Sequence, residues 1–181
     1  MNLANKITLL RVLMIPVFMI VLFSDFNNST YVAALIFAIA SATDGLDGYI
    51  ARSRGQVTTF GKFIDPLADK LLVSTALISM VQLGKVPAWI VVIIIAREFT
   101  ITGFRIIAAS EGITIAASSL GKIKTITQLI AIISLLIDNF PFRLINFPFD
   151  IIMLYSSLFF TVLSGVDYLY KNRHVLTTSK K

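Results

Sequence analysis

Asp44, Asp47, Asp65 and Asp69 account for four of the ten acidic residues in a 181-residue chain that is 56% hydrophobic. They stand where two long apolar stretches meet. On a helix, Asp44, Gly48 and Arg52 fall at i, i+4 and i+8 with Asp47 and Ala51 beside them, and Gly61, Asp65 and Asp69 repeat the spacing of four. Each set therefore shares one face. A carboxylate in hydrocarbon costs about 2.5–3.5 kcal/mol even on a lenient insertion scale, and the simplest compensating partner for four of them is a divalent metal. Hard oxygen ligands suit Mg²⁺ or Mn²⁺, which complete their shells with water and substrate phosphates. Four aspartates can hold two such ions, and two metals about 3.5–4 Å apart form a clamp for phosphoryl displacement. Arg52 and Lys62 add cations for a pyrophosphate, while Gly48, Ala51 and Gly61 leave room for a bulky ligand or a second backbone. The set suits a phosphodiester or pyrophosphate and has none of the parts of an acyl-transfer triad.

The elements that must position these residues are helices in a membrane. Only 14% of the chain is charged and its mean hydropathy is +0.84, whereas globular domains carry about 25% charged residues. Six apolar segments run from Val12 to Phe23, Tyr31 to Ile50, Ile64 to Leu83, Ala88 to Ala109, Leu120 to Ile137 and Ile151 to Tyr170. Spans of ~20 residues use up nearly the whole length, so one integral-membrane domain over residues 1–181 is expected, with no separate soluble module. The first segment resembles a signal peptide, but Ser24-Asp25-Phe26-Asn27-Asn28 lacks a small-x-small cleavage signature and five more spans follow. It reads as a retained helix. Ahead of it, Leu3, Ile7 and Leu10 against Asn5, Lys6 and Arg11 predict a short amphipathic helix lying in the interface. The fold class expected is thus all-α and polytopic, six transmembrane helices preceded by that interfacial helix. Pro66 is tolerable if the third helix begins near Gly61 or Lys62, because the first amides of a helix have no intrahelical acceptor.

With a cytosolic N-terminus, every Lys and Arg except Lys85 and Arg143 falls on or near one side. The positive-inside rule then places both termini and the Asp cluster at the cytosolic face of the cell membrane. Anionic lipid headgroups account for the net charge of +6 and the pI near 9.7, so no nucleic acid is expected as a partner. The absence of cysteine excludes disulfides, thiolate zinc sites and thiol nucleophiles.

The pattern Asp44-x-x-Asp47-Gly48-x-x-Ala51-Arg52, eight residues, Gly61-x-x-x-Asp65-x-x-x-Asp69 resembles the signature of the CDP-alcohol phosphatidyltransferase family, without departure in residue or spacing. Asn2, Asn5, Thr8 and Arg11, together with the six-span plan, extend the likeness over most of the chain. The resemblance implies transfer of a phosphatidyl group from CDP-diacylglycerol to an alcohol with release of CMP, on a divalent-metal site of a homodimer. Carried over by position, Asp44, Asp47, Asp65 and Asp69 bind the metals, and Asp69 is also the general base for the acceptor hydroxyl. Gly48, Ala51 and Gly61 make room for the cytidine diphosphate, Arg52 binds its phosphates, and Asn5 and Thr8 touch the nucleotide end. A base must come within ~2.6–3.2 Å of the proton it removes, which suits a carboxylate on the metal side.

For the acceptor, Arg97 and Arg105 lie eight apart on the fourth span and share a face. Lys122 and Lys124 follow at the cytosolic start of the fifth. A neutral alcohol such as serine does not need several cations, whereas an acceptor that already carries a phosphate does. The stretch from Arg97 to Arg105 also looks like the phosphatidylglycerophosphate synthase branch of the family. Glycerol 3-phosphate is therefore the expected acceptor, with Lys62, Arg97, Arg105, Lys122 and Lys124 around its phosphate. A local Arg97–Glu98 ion pair is a poor explanation of that arginine, since adjacent helix residues do not face each other. Asp167 reads as a polar residue at a helix end, Trp89 as an interface anchor, and Gly103 and Gly165 as points of close helix approach.

Two other readings compete. Inositol phosphate, serine or phosphatidylglycerol as acceptor would share the Asp motif and differ only around Arg97, Arg105 and Lys122. A divalent-cation transporter also clusters intramembrane aspartates, but Arg52, Arg54 and Lys62 beside a cation path would oppose it.

Overall fold

The structure is a computed structural model that describes residues 3–53, 59–113, 115 and 118–173, excluding the side chains of 3–5, 44–53, 59–63, 65 and 66. Among these residues the regular structure is entirely helical: α1 (Leu3–Leu22), α2 (Ser29–Ser53), α3 (Thr59–Gln82), α4 (Ala88–Ser110), α5 (Ser119–Leu136), a 3-10 turn at Phe142–Ile145, and α6 (Phe149–Lys171). A helix stands at each of the six apolar segments. By length and composition α5 and α6 are long and apolar enough to cross a bilayer.

The first compact unit comprises Met1–Lys85 and Leu135–Asp138, in which α1, α2 and α3 pack on one another. Small residues let the helices approach: Ala33, Ala40, Ala68 and Ala76 have no exposed surface, as expected where van der Waals contact holds helices together. Phe18 of α1 and Phe37 of α2 fill the remaining space, their ring centroids 6.1 Å apart. Gly84, at φ +72°, reverses the chain after α3. There the Lys85 amide donates to the Met80 carbonyl at 2.9 Å and the Gly84 amide to Val81 at 3.0 Å, the paired bonds of a Schellman cap. The Lys85 ammonium pairs with Asp138 at 2.6 Å and donates to the Leu135 carbonyl at 2.9 Å.

Two expectations are revised here. Among the described residues no separate interfacial helix precedes the first apolar stretch, because α1 is continuous from Leu3 to Leu22 with Pro16 inside it. Thr8 and Arg11 are fully buried, while Lys6 is exposed together with Leu9, Leu10 and Leu13. Arg11 is held inside, its Nε donating to the Ala40 carbonyl of α2 at 3.1 Å and reaching the Thr43 hydroxyl at 3.3 Å. The third helix starts at Thr59, earlier than Gly61. Pro66 consequently lies past the first turn, where a ring nitrogen cannot supply the amide that the carbonyl at Lys62 would accept.

The second unit comprises Val86–Ser134 and Asn139–Lys181, and in it α4 packs on α6. Ser157, Thr161, Ser164 and Gly165 form a buried small-residue stripe on α6. Near the end of α4, Ile101, Phe104 and Ala108 enclose the ring of Tyr168, with Ile113 and Ile115 packed against them. Gly112, at φ +75°, turns the chain back: its amide donates to Ala109 at 3.1 Å and the Ile113 amide to Ala108 at 2.8 Å. That second Schellman cap returns Ile113 to the apolar cluster.

Candidate active site

The acidic motif occupies the adjoining ends of α2 and α3. On α2, Ala33, Phe37 and Ala40 are buried, and Asp44, Asp47 and Ala51 continue their helical register, with Gly48 and Arg52 beside them. On α3, Asp65 and Asp69 stand three residues before the buried Ala68 and Leu72 respectively. The two helices are in contact within the first unit. Asp69 is half-buried and engaged in an interaction. The side chains at Asn5, Asp44, Asp47, Gly48, Ala51, Arg52, Gly61, Lys62 and Asp65 lie outside the described residues. Among the described residues no three potential metal ligands converge; of the four expected ligands, Asp44, Asp47 and Asp65 have side chains outside the described residues.

Thr8 is buried on α1, one turn before Arg11. Arg11 was not among the expected site residues. Its guanidinium holds the turn of α2 that immediately precedes Asp44. The signal in the sequence was a cation within an otherwise apolar helix, which needs an internal partner.

In the second unit, Arg97, Arg105 and Lys122 come together around a cavity of about 500 Å³, lined also by Glu98 and Tyr168. Lys122 sits in the first turn of α5, where the Gly121 amide is capped by the Ser118 hydroxyl at 3.1 Å. Arg105 reaches the Ile115 carbonyl at 3.4 Å and is otherwise exposed. Lys124 does not line this cavity. It is buried and its ammonium bonds to Glu98.

Glu98 was dismissed as a partner of Arg97, and the structure overturns that. Arg97 Nη1 pairs with Glu98 Oε1 at 3.1 Å, because a long guanidinium can bend back to a neighbour that ideal helix geometry would turn away. The same Oε1 takes Lys124 from α5. Arg97 Nη2 donates to the Ser164 hydroxyl of α6 at 2.9 Å. A methyl group at Gly165 would come within 3.1 Å of Arg97 Cγ, while one at Gly103 would meet nothing within 4 Å. Close approach is therefore used at Gly165 and not at Gly103. Arg97, Arg105 and Lys122 line the cavity against the one carboxylate of Glu98, so its wall is net positive and suited to a phosphate. Asp167 pairs with Lys171 one turn later at 2.8 Å, in keeping with a helix-end role.

Comparison with known proteins adds the chemistry. The sequence model described as CDP-alcohol phosphatidyltransferase matches residues 1–163. The chain is 51% identical to the CDP-diacylglycerol--glycerol-3-phosphate 3-phosphatidyltransferase of Bacillus subtilis (strain 168), covering 98% of both chains. It is 40% identical to a probable phosphatidylglycerophosphate synthase of Mycobacterium tuberculosis (strain ATCC 25618 / H37Rv), covering 93% of this chain and 80% of that one. A Rickettsia felis (strain ATCC VR-1525 / URRWXCal2) protein named like the first is 35% identical over 92% of this chain and 93% of its own.

Proposed function

The chain belongs to the CDP-alcohol phosphatidyltransferase family, and from that premise we infer that it transfers the phosphatidyl group of CDP-diacylglycerol to glycerol 3-phosphate, giving phosphatidylglycerol phosphate and CMP. The observation that carries the reading is the 51% identity to the Bacillus subtilis enzyme across nearly the whole of both chains. The cationic cavity bounded by Arg97, Arg105 and Lys122 supports the choice of a phosphorylated acceptor. The match of the family across residues 1–163 spans both compact units and supports a single functional domain.

In this mechanism the acyl chains of the donor stay in lipid. Arg52 binds the donor's phosphates, with Gly48, Ala51 and Gly61 leaving space for the nucleotide and Asn5 and Thr8 at its far end. Arg97, Arg105 and Lys122 hold the acceptor phosphate directly. Lys124 acts behind them by holding Glu98. Asp69 takes the proton from the primary hydroxyl, whose oxygen attacks the phosphatidyl phosphorus as the bond to CMP breaks. Arg52 stays with the departing CMP. The chain offers no evident nucleophile for a covalent intermediate, so the displacement is single and inverts phosphorus. Retention of configuration would refute it.

The oxygen-only donor set of Asp44, Asp47, Asp65 and Asp69, on two adjoining helices, fits one or two Mg²⁺ or Mn²⁺ ions. Such ions supply charge neutralisation at a pyrophosphate when bound. The protein is further proposed to be a multi-pass homodimer in the cytoplasmic membrane, with its termini and site at the cytosolic face. The positive-inside distribution supports the orientation, and the family resemblance supports the dimer.

The test is CMP release by the purified chain in detergent, with CDP-diacylglycerol and Mg²⁺ or Mn²⁺, comparing glycerol 3-phosphate, inositol phosphate, serine and phosphatidylglycerol. Release with glycerol 3-phosphate alone, abolished by a chelator, is expected. Release only with another acceptor would discard the acceptor assignment and leave the Asp site standing.

A further inference from the structure

Tyr168 is absent from the family signature and from the charged set, yet it occupies a particular place in the cavity. It lies on α6 with 5% of its surface exposed. Its ring is gripped by Ile101, Phe104 and Ala108 and meets Phe104 edge-on at 6.0 Å. This packing fixes the direction of the phenolic C–O bond. The hydroxyl itself is buried and has no hydrogen-bond partner among the described residues, although Tyr168 lines the same cavity as Arg97, Arg105 and Lys122. A buried hydroxyl is seldom left unpaired, since it gives up water without replacement.

The cations lining the cavity, Arg97, Arg105 and Lys122, could donate to the phenolic oxygen, but none of them can accept its hydrogen. The carboxylate in the wall is Glu98, whose Oε1 already receives Arg97 and Lys124. Arg97 Nε is a second buried donor without a partner among the described residues. A wall rich in donors, with two of them unused, calls for a ligand rich in acceptors.

We propose that the Tyr168 hydroxyl donates a hydrogen bond to the phosphate of the acceptor alcohol, adding a directional contact to the charges of Arg105 and Lys122. The proposal rests on the reading of this cavity as the acceptor site. A phosphate could also come from the donor's pyrophosphate, and the two sources give different kinetics.

Tyr168→Phe keeps the ring and its packing and removes only the oxygen. In the CMP-release assay the variant is expected to raise KM for glycerol 3-phosphate roughly tenfold, with KM for CDP-diacylglycerol and the melting temperature in detergent unchanged. Unchanged KM for glycerol 3-phosphate beside an active parent would overturn the proposal. So would a rise confined to KM for CDP-diacylglycerol, which would assign the hydroxyl to the donor. If the parent releases no CMP with glycerol 3-phosphate, the functional reading fails separately. Calorimetric titration of parent and variant with inorganic phosphate still decides the contact in that case: weaker binding by the variant supports it, and equal binding overturns it.

Discussion

Arg11 and Arg97 are both largely withdrawn from solvent, one in each compact unit, and the two units treat them differently. Arg11 has no exposed surface, and its Nε is engaged by the Ala40 carbonyl and the Thr43 hydroxyl. It joins α1 to α2. Arg97 divides Nη1 and Nη2 between Glu98 and Ser164, retains an Nε without a partner among the described residues, and borders an open volume. Burial of a cation in an apolar chain therefore does not by itself mark a ligand site. Unused hydrogen-bonding capacity beside empty space is the more informative sign, because a purely structural cation has its donors taken by the chain.

This contrast predicts that substitutions in the first unit alter turnover or stability, while those around the cavity alter acceptor affinity. Asp69→Asn should have the largest effect, lowering turnover by roughly 10²–10⁴-fold with acceptor KM little changed. Full turnover in a variant that still binds metal would remove Asp69 as base. Arg105→Ala should raise KM for glycerol 3-phosphate by roughly ten- to a hundredfold and leave KM for CDP-diacylglycerol alone; equal effects on both would break the division between the units. Arg11→Met should cost about 2 kcal/mol of stability, read from unfolding in detergent, without moving acceptor KM. A rise in that KM would show that Arg11 belongs with Arg97. The smallest effect is expected from Gly165→Ala, whose added methyl must push Arg97 aside by a few tenths of an ångström. Acceptor KM should rise roughly threefold, with Gly103→Ala silent as the control.

The acidic motif was legible because its order is local: spacings of three and four place Asp44 with Asp47 and Asp65 with Asp69 on any helix. The six helices were legible for a similar reason, since apolar length and turn residues bound each of them. What escaped was tertiary. Lys6 and Arg11 have the look of an interfacial face, and only the carbonyl of Ala40, on another helix, turns Arg11 inward. Glu98 was set aside by a rule for side chains that leave the helix directly, whereas Arg97 is long enough to fold back. Tyr168 resembles an aromatic at a membrane boundary. Its meaning depends on Phe104, sixty-four positions earlier in the chain.

The reversal at Gly112 fixes the course of the chain as it leaves α4. Ile113 and Ile115 must both return to the cluster that grips Tyr168, and the Ile115 carbonyl also receives Arg105. One residue added or removed between Gly112 and Ile115 would slide Ile115 out of step and carry its carbonyl away from the guanidinium. Anyone splicing an epitope or a reporter into this protein should therefore pass over that stretch, despite its position outside any helix, and use the turn at residues 23–28, which carries no residue of either candidate site.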